Sequence, residues 1–152
     1  MIARVGLLAV LAVVTLALSG CGADTFNVLE EGLQALRETN FEKAIAKFGQ
    51  VIRHEPKDGS STWLGDAYLC RGLAYARQGQ YHQAIRDYDE LIQLEGEHHP
   101  KSLYLVAAHN NRGWAYAGLR QYALAIRDYT IAIDKTVARE VPRWALAIAL
   151  PS

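Results

Sequence analysis

The sequence predicts an all-α fold, a short solenoid of antiparallel helix pairs, and three observations support this. Asn111–Tyr129, NRGWAYAGLRQYALAIRDY, repeats Cys70–Tyr88, CRGLAYARQGQYHQAIRDY, with twelve identities in nineteen positions. A fainter third copy, EEGLQALRETNFEKAIAKF, occupies Glu30–Phe48. Within each copy, apolar residues follow helical spacing on both sides of a short break. Repeats with a period near forty residues are typical of solenoids.

The break within each copy predicts a turn between two helices. It falls at residues 38–40 in the first copy, 78–80 in the second and 119–121 in the third. Each unit is therefore predicted to be helix, turn, helix, and we call its two helices A and B. Pairs of this kind bury their apolar faces by stacking on their neighbours.

The positions kept in the copies resemble the tetratricopeptide repeat, abbreviated TPR. That pattern has a small residue in helix A, an aromatic at the start of helix B, an alanine three residues later and a second aromatic four residues beyond. The small position is matched by Gly32, Gly72 and Gly113. The positions in helix B are matched by Phe41, Tyr81 and Tyr122, by Ala44, Ala84 and Ala125, and by Phe48, Tyr88 and Tyr129. We expect the small residues to permit close helix packing, with the aromatics filling the space between pairs.

The resemblance covers residues 25–139 and divides them into three units. These are expected at about 25–58, 65–98 and 106–139. About forty residues separate the glycines, against 34 in the usual repeat. We expect the surplus, Gly59–Leu64 and His99–Leu105, to form longer connections and extra turns of helix A.

The first twenty residues have the composition of an export signal. Arg4 gives a positive start, residues 5–18 carry no charge, and Ser19 and Gly20 are small. As a helix, the uncharged stretch would span about 21 Å, which is short of a hydrocarbon core of about 30 Å. A permanent transmembrane anchor is therefore not the preferred interpretation.

The motif LSGC at residues 18–21 resembles the lipobox of bacterial lipoproteins. The resemblance implies cleavage after Gly20 and acylation of Cys21. Residues 1–20 are then a signal peptide and residues 21–24 a lipidated tether. Two or more acyl chains hold a protein on a membrane stably, whereas one chain binds only marginally.

The residue after the expected acylation site indicates which membrane is expected to hold the protein. Gly22 stands where an inner-membrane retention signal of enteric bacteria has Asp. We therefore expect a cell-envelope protein on the outer membrane, facing the periplasm, rather than on the inner membrane. An uncleaved anchor and an ordinary signal peptide are the alternatives.

Composition argues against some classes of partner and site. Lys plus Arg and Asp plus Glu number 16 each, and no long run of one sign occurs, so we expect no nucleic-acid partner. No cofactor motif or catalytic constellation is evident. Cys70 lies among leucines in a helical run, which favours a small buried hydrophobe over a catalytic thiol. His98 and His99, expected in a loop beside Pro100, are not expected to form a metal site.

A partner-binding surface is expected on the concave face made by the A helices. Side chains three residues before, one after and four after each glycine lie on one helical face. They are Leu29, Leu33 and Leu36; Leu69, Leu73 and Ala76; and Asn110, Trp114 and Ala117. We expect Trp114 to be the main contact, because a large aromatic in a groove buries much apolar area. The alternative is that these residues pack the stack itself.

Two further features complete the expectation. Arg71 and Arg112 are expected to pair with Asp87 and Asp128 on the B helices. Residues 140–152, which include the apolar WALAIAL, are expected to form a capping or interaction helix.

The predicted function is a non-enzymatic, membrane-tethered module that binds an envelope protein or peptide. The alternatives are a homodimer joined through its C-terminal helix and an envelope enzyme.

Overall fold

The computed structural model describes residues 24–99 and 102–140. Within these ranges the chain forms six helices and no strand, which confirms the predicted all-α class. The predicted signal peptide, the acylation site Cys21 and the expected C-terminal helix after Glu140 lie outside the described residues.

The helices form three consecutive pairs. Their bounds are 24–37 for α1, Phe41–His54 for α2, Leu64–Arg77 for α3, Tyr81–His98 for α4, Leu103–Gly118 for α5 and Tyr122–Glu140 for α6. From α2 onward each helix packs on the next, and α3 also contacts α5. The A helices of the second and third pairs therefore lie side by side. This arrangement is the stacked solenoid that the repeats predict.

The turns inside the three pairs have one geometry, and all three fall where the sequence predicted breaks. The equivalent residues Thr39, Gly79 and Arg120 have positive φ angles of 57°, 75° and 59°. In each turn the next N–H, that of residue 40, 80 or 121, donates to a carbonyl five residues back at 2.8 to 2.9 Å. This is the Schellman ending of a helix, in which a left-handed residue satisfies carbonyls left free at the C-terminus. A glycine is therefore suited to this position, although only the second pair has one.

The glycines of the A helices allow each pair to close tightly on an aromatic ring. A Cβ added to Gly72 would lie 2.6 Å from Cε1 of Tyr88. The corresponding distances are 2.8 Å between Gly32 and Phe48 and 3.0 Å between Gly113 and Tyr129. The second aromatic of helix B thus occupies the space that a side chain in helix A would fill.

The first aromatic of helix B connects one pair to the next. A Cβ added to Gly118, at the end of α5, would lie 2.5 Å from the Tyr81 ring at the start of α4. The alanines of helix B, Ala44, Ala84 and Ala125, are buried. Small residues therefore face aromatic rings both within a pair and between pairs.

The connections between pairs take up part of the surplus length. Residues 55–63 join α2 to α3, and in this segment the Glu55 carboxylate accepts hydrogen bonds from Thr25 at 2.8 Å and Ser61 at 2.7 Å. The residue before the second part of the surplus differs from expectation. The prediction that His98 lies in a loop was wrong, because α4 continues for 18 residues and ends at His98.

Candidate protein-binding surface

The predicted groove residues do not all lie on one accessible strip. Leu33, Leu36 and Leu69 are half-buried and pack against the core, and Leu73 is half-buried. Leu29 is a correction to the predicted set. It is 4% exposed and belongs to the core cluster, so it cannot offer a surface to a partner.

Trp114 is the large accessible side chain of the predicted set. It is 40% exposed, and its ring meets that of Tyr81 edge to face with 6.2 Å between the centroids. This contact fixes the indole in position without covering it, since edge-to-face pairs form at such distances. Leu73 occupies the equivalent place on α3, which packs beside α5, and we call Leu73 and Trp114 the apolar strip. Of the two alanines, Ala76 is buried and Ala117 half-buried.

Asn110 lies one helical turn before Trp114 on α5. It is exposed and lines an open cleft of about 420 Å³ at the C-terminal end of the stack. The cleft lies between α5 and α6, and its other lining residues are Val106, Tyr129, Ala132, Ile133, Thr136 and Val137. This cleft was not part of the predicted site.

An apolar stripe on α6 extends the cleft. Tyr122, Ile126, Ile133 and Val137 are all exposed, and seven-residue spacing places Ile126 and Ile133 on one side of the helix. We call these four residues, together with Val106 and Asn110, the terminal face. In the sequence, this face is indicated by apolar residues at helical spacing in α6, the last B helix. Packing alone would explain that spacing if another pair followed.

Ion pairs join the helices of each of the last two pairs, and both predicted pairs are confirmed. The Arg71 guanidinium donates to both carboxylate oxygens of Asp87, at 2.8 and 2.6 Å. Arg112 donates to both oxygens of Asp128, at 2.7 Å each. Such two-pronged contacts combine charge with fixed geometry.

The second of these pairs belongs to a larger network. Arg112 also donates to Asp89 of α4 at 2.5 Å, and the buried His109 contacts Asp128 with 3.1 Å between Nδ1 and Oδ1. The network therefore ties the third pair to the second. Sequence reasoning found neither His109 nor Asp89, because neither position has an equivalent polar group in all copies.

The network affects the acidity of its members. Burial acts to raise the pKa of Asp128, but hydrogen bonds and charge from Arg112 and His109 bring that pKa below its ordinary value. Burial raises the pKa of Asp87, and the hydrogen bonds and charge of Arg71, together with the charge of Arg86, do not reverse this. The balance between burial and the neighbouring cations therefore differs at the two equivalent carboxylates.

The other candidate sites have little chemical reactivity. Burial raises the pKa of the Cys70 thiol to about 11, so a nucleophilic thiolate is disfavoured at neutral pH. Within residues 24–99 and 102–140, no cluster of three His, Cys, Asp or Glu side chains is arranged to hold a metal ion. No helix in the described part of the chain combines the length and apolar character needed to cross a bilayer.

Comparison with known proteins agrees with this geometry. Residues 65–98 match the family model described as tetratricopeptide repeat. The structure is similar to the TPR domain of Arabidopsis OM64, with a TM-score of 0.63 and 19% identity over 85% of this chain and 94% of that one. The described chain has the TPR fold. TPR domains are protein–protein interaction modules and are typically non-enzymatic scaffolds.

Two further proteins are similar to this chain over different lengths. The N-terminal domain of stress-induced protein-1 (STI-1) from C. elegans also has a TM-score of 0.63, with 14% identity over 85% of this chain and 94% of that domain. Mouse sperm-associated antigen 1 is 29% identical over 79 residues. That match spans 52% of this chain but only 8% of the mouse protein.

Proposed function

We propose that this protein is a membrane-tethered TPR module of the bacterial cell envelope that binds a peptide or helix of an envelope protein. The tether is the acylated Cys21, for which the LSGC motif at residues 18–21 is the support. The location that the sequence favours is the outer membrane, facing the periplasm. The module has no cofactor in this proposal.

The observation that carries the binding proposal is the accessible apolar strip of Leu73 and Trp114. The indole is fixed by Tyr81 and remains 40% exposed, so a partner can bury it with little loss of side-chain freedom. A partner helix with an apolar face, or an extended peptide with apolar side chains, fits this surface. A C-terminal carboxylate is a poorer ligand for it, because the strip has no cationic side chain.

Site-specific photocrosslinking in intact cells tests the groove. A photoreactive residue is placed at Leu73, and the matched control site is Arg86, which is exposed on α4. We expect the Leu73 probe to give an adduct with another envelope protein and the Arg86 probe to give none. Adding Trp114→Ala should reduce the adduct at position 73 at least fivefold, since the neighbouring anchor is lost. Equal yields at both sites, or no effect of Trp114→Ala, would contradict the groove.

The tether has its own test. Cells are fed radiolabelled palmitate, and the native protein is compared with Cys21→Ser and with Cys70→Ser as the matched control. We expect label in the native protein and in Cys70→Ser but none in Cys21→Ser, which should also leave the membrane fraction. Label that survives Cys21→Ser would overturn the lipid anchor without affecting the groove.

The homodimer joined through its C-terminal helix remains the second candidate, and the observation that favours it is the exposed apolar terminal face at the same end of the stack. Crosslinks from Leu73 only to another copy of the chain would favour it over the envelope-partner proposal. The envelope enzyme has no supporting observation among the described residues.

A further inference from the structure

Exposed apolar side chains lie where the A helices begin. Outside Trp114 and α6, the large apolar side chains that are exposed in the described chain are Phe26 and Leu103, which are 47% and 62% exposed. Phe26 is the third residue of α1, and Leu103 is the first residue of α5. Both therefore lie in the first turn of an A helix, at the end farthest from the turn inside the pair.

The start of α3 joins these two residues into one edge. Trp63, the residue before α3, is half-buried, and its ring contacts that of Phe26 with 5.9 Å between the centroids. Toward α5, the Tyr104 hydroxyl donates to Asp66 at 2.9 Å, which holds the start of α5 against the start of α3. The three A helices thus begin side by side, and we call Phe26, Trp63 and Leu103 the proximal edge.

The opposite edge of the stack has a different surface. The three turns inside the pairs consist of polar residues and glycine, apart from Leu119, which packs against the core. Among the described residues, large exposed apolar side chains follow these turns only in the third pair, at Tyr122 and Leu124. In the first two pairs, the start of the A helix is therefore the more apolar end.

The expected acylation site is close to the proximal edge along the chain. Cys21 precedes the start of α1 at residue 24 by three residues, which span at most about 11 Å when fully extended. This reach is shorter than α1 itself, which is about 21 Å long. Acyl chains on Cys21 would therefore keep the start of α1 near the headgroups and favour the proximal edge as the side that faces the bilayer.

We infer that the proximal edge rests on the bilayer, with Phe26, Trp63 and Leu103 at the boundary between headgroups and acyl chains. This inference rests on the proposed acylation of Cys21. The indole of Trp63 suits that depth, because amphipathic aromatic rings are enriched at membrane interfaces. The two exposed side chains gain by burying apolar area that water otherwise covers. The lipid surface thus orients the module as well as holding it.

This orientation keeps the apolar strip away from the lipid. Trp114 follows Leu103 by eleven residues on α5, which is about 16 Å along the helix. The headgroup layer of one leaflet is about 5–8 Å thick. The strip therefore stands beyond the headgroups, where a partner can reach it. A tethered module lying on its side could instead bury the indole of Trp114 in lipid.

Quenching of tryptophan fluorescence by brominated lipid tests the depth of each indole. The acylated protein is purified from membranes in a mild detergent and reconstituted into phosphatidylcholine vesicles, with or without bromine on the acyl chains. Trp114→Phe combined with Trp144→Phe leaves Trp63 as the fluorophore, and the matched control, Trp63→Phe combined with Trp144→Phe, leaves Trp114. We expect brominated chains to quench Trp63 at least about threefold more strongly than Trp114. Equal quenching, or stronger quenching of Trp114, would overturn the inference.

A charge placed at the proximal edge provides a second measurement. Leu103→Asp puts a carboxylate against the lipid, and the fold should be retained because the first turn of a helix favours an acidic side chain. The matched control is Leu124→Asp, in the first turn of α6 at the opposite edge, where Leu124 is 40% exposed. We expect Leu103→Asp to reduce the quenching of Trp63 at least about twofold and Leu124→Asp to leave it unchanged. An unaltered signal in Leu103→Asp, or an equal loss in both variants, would contradict contact between this edge and lipid.

The edge and the tether fail in different ways. If Cys21 carries palmitate and the protein floats with the vesicles, but Trp63 is quenched no more than Trp114, the edge does not face the bilayer and the tether stands. If Cys21 carries no acyl group, the palmitate experiment shows it, and both the proposed tether and this inference are overturned.

Discussion

Arg71 and Asp87 bridge α3 and α4, and the equivalent residues of the first pair, Glu31 and Lys47, form the same bridge with the charges exchanged. The first member precedes the glycine of helix A, and the second precedes the aromatic that packs on that glycine. The repeat therefore conserves a pair of opposite charges across its tightest contact, while the sign at each position is free to change.

This exchange predicts the outcome of a charge swap. Arg71→Glu alone leaves two carboxylates facing each other at a mostly buried site, and we expect it to lower the free energy of unfolding by about 3 kcal/mol or more. Arg71→Glu combined with Asp87→Lys restores the pair found in the first unit and should recover at least half of that loss. Urea denaturation measures both. If the double variant were no more stable than the single one, the two hydrogen bonds from the Arg71 guanidinium would be required, and pairing of opposite charges would not be enough.

The control for the swap is Arg53→Glu. Arg53 is exposed at the end of α2, and the substitution changes the net charge of the chain by the same amount as Arg71→Glu. A comparable loss in this variant would point to overall charge and not to the bridge.

Substitution by alanine is expected to have opposite effects at Gly72 and at Gly96. Gly72→Ala puts a Cβ 2.6 Å from a Tyr88 ring that is fully buried and cannot move aside, so we expect a loss of about 1–3 kcal/mol. Gly96 lies within α4 with nothing within 4 Å of its added Cβ. Gly96→Ala should therefore stabilise the fold by about 0.5–1 kcal/mol. Thermal unfolding of both variants is the measurement, and a stabilising Gly72→Ala would contradict the close packing.

Tyr88 carries a buried hydroxyl that has no hydrogen-bond partner among the described residues. The first pair has Phe48 at this position. Removing the hydroxyl ends its desolvation cost, so we expect Tyr88→Phe to leave stability unchanged or to raise it by about 1 kcal/mol. The matched control is Tyr104→Phe, because the Tyr104 hydroxyl donates to Asp66 at 2.9 Å. That variant should lose about 0.5–1.5 kcal/mol in the same urea titration. A clear loss in Tyr88→Phe would imply a partner for the hydroxyl.

The sequence was sufficient for the features that depend on local spacing. Residues 78–80 break the apolar spacing, so the turn was predictable, and the two Arg and Asp positions recur in two copies, so their pairing was predictable too. The contacts between one helix pair and the next were not predictable from the sequence. The bond from Arg112 to Asp89 depends on how far one pair rotates on the next, which a repeat period does not specify. Leu29 was assigned to the groove because it lies three residues before Gly32, and only the packing of α1 places it in the core.

His109 is the residue whose environment the sequence least suggests, since the second pair has Tyr68 at the equivalent position. Its ring is buried beside Asp128, Arg112 and the charge of Lys135. Burial lowers the pKa of His109 below its ordinary value of 6.5, and the opposing attraction of Asp128 does not reverse this. The unfolded chain therefore binds a proton at His109 more readily than the folded chain does.

This difference gives the stability a pH dependence of known sign. The contribution of neutral His109 is complete above pH 6.5 and is lost as the pH falls from that value toward the lowered pKa. We expect His109→Asn, whose side-chain amide keeps a donor for Asp128, to flatten the fall in urea midpoint between pH 7.5 and pH 5.5. His82→Asn, at an exposed site on α4, is the control and should retain the slope of the native chain. If His109→Asn kept the native slope, another group would be responsible for it, and the buried histidine would act only as a packing residue.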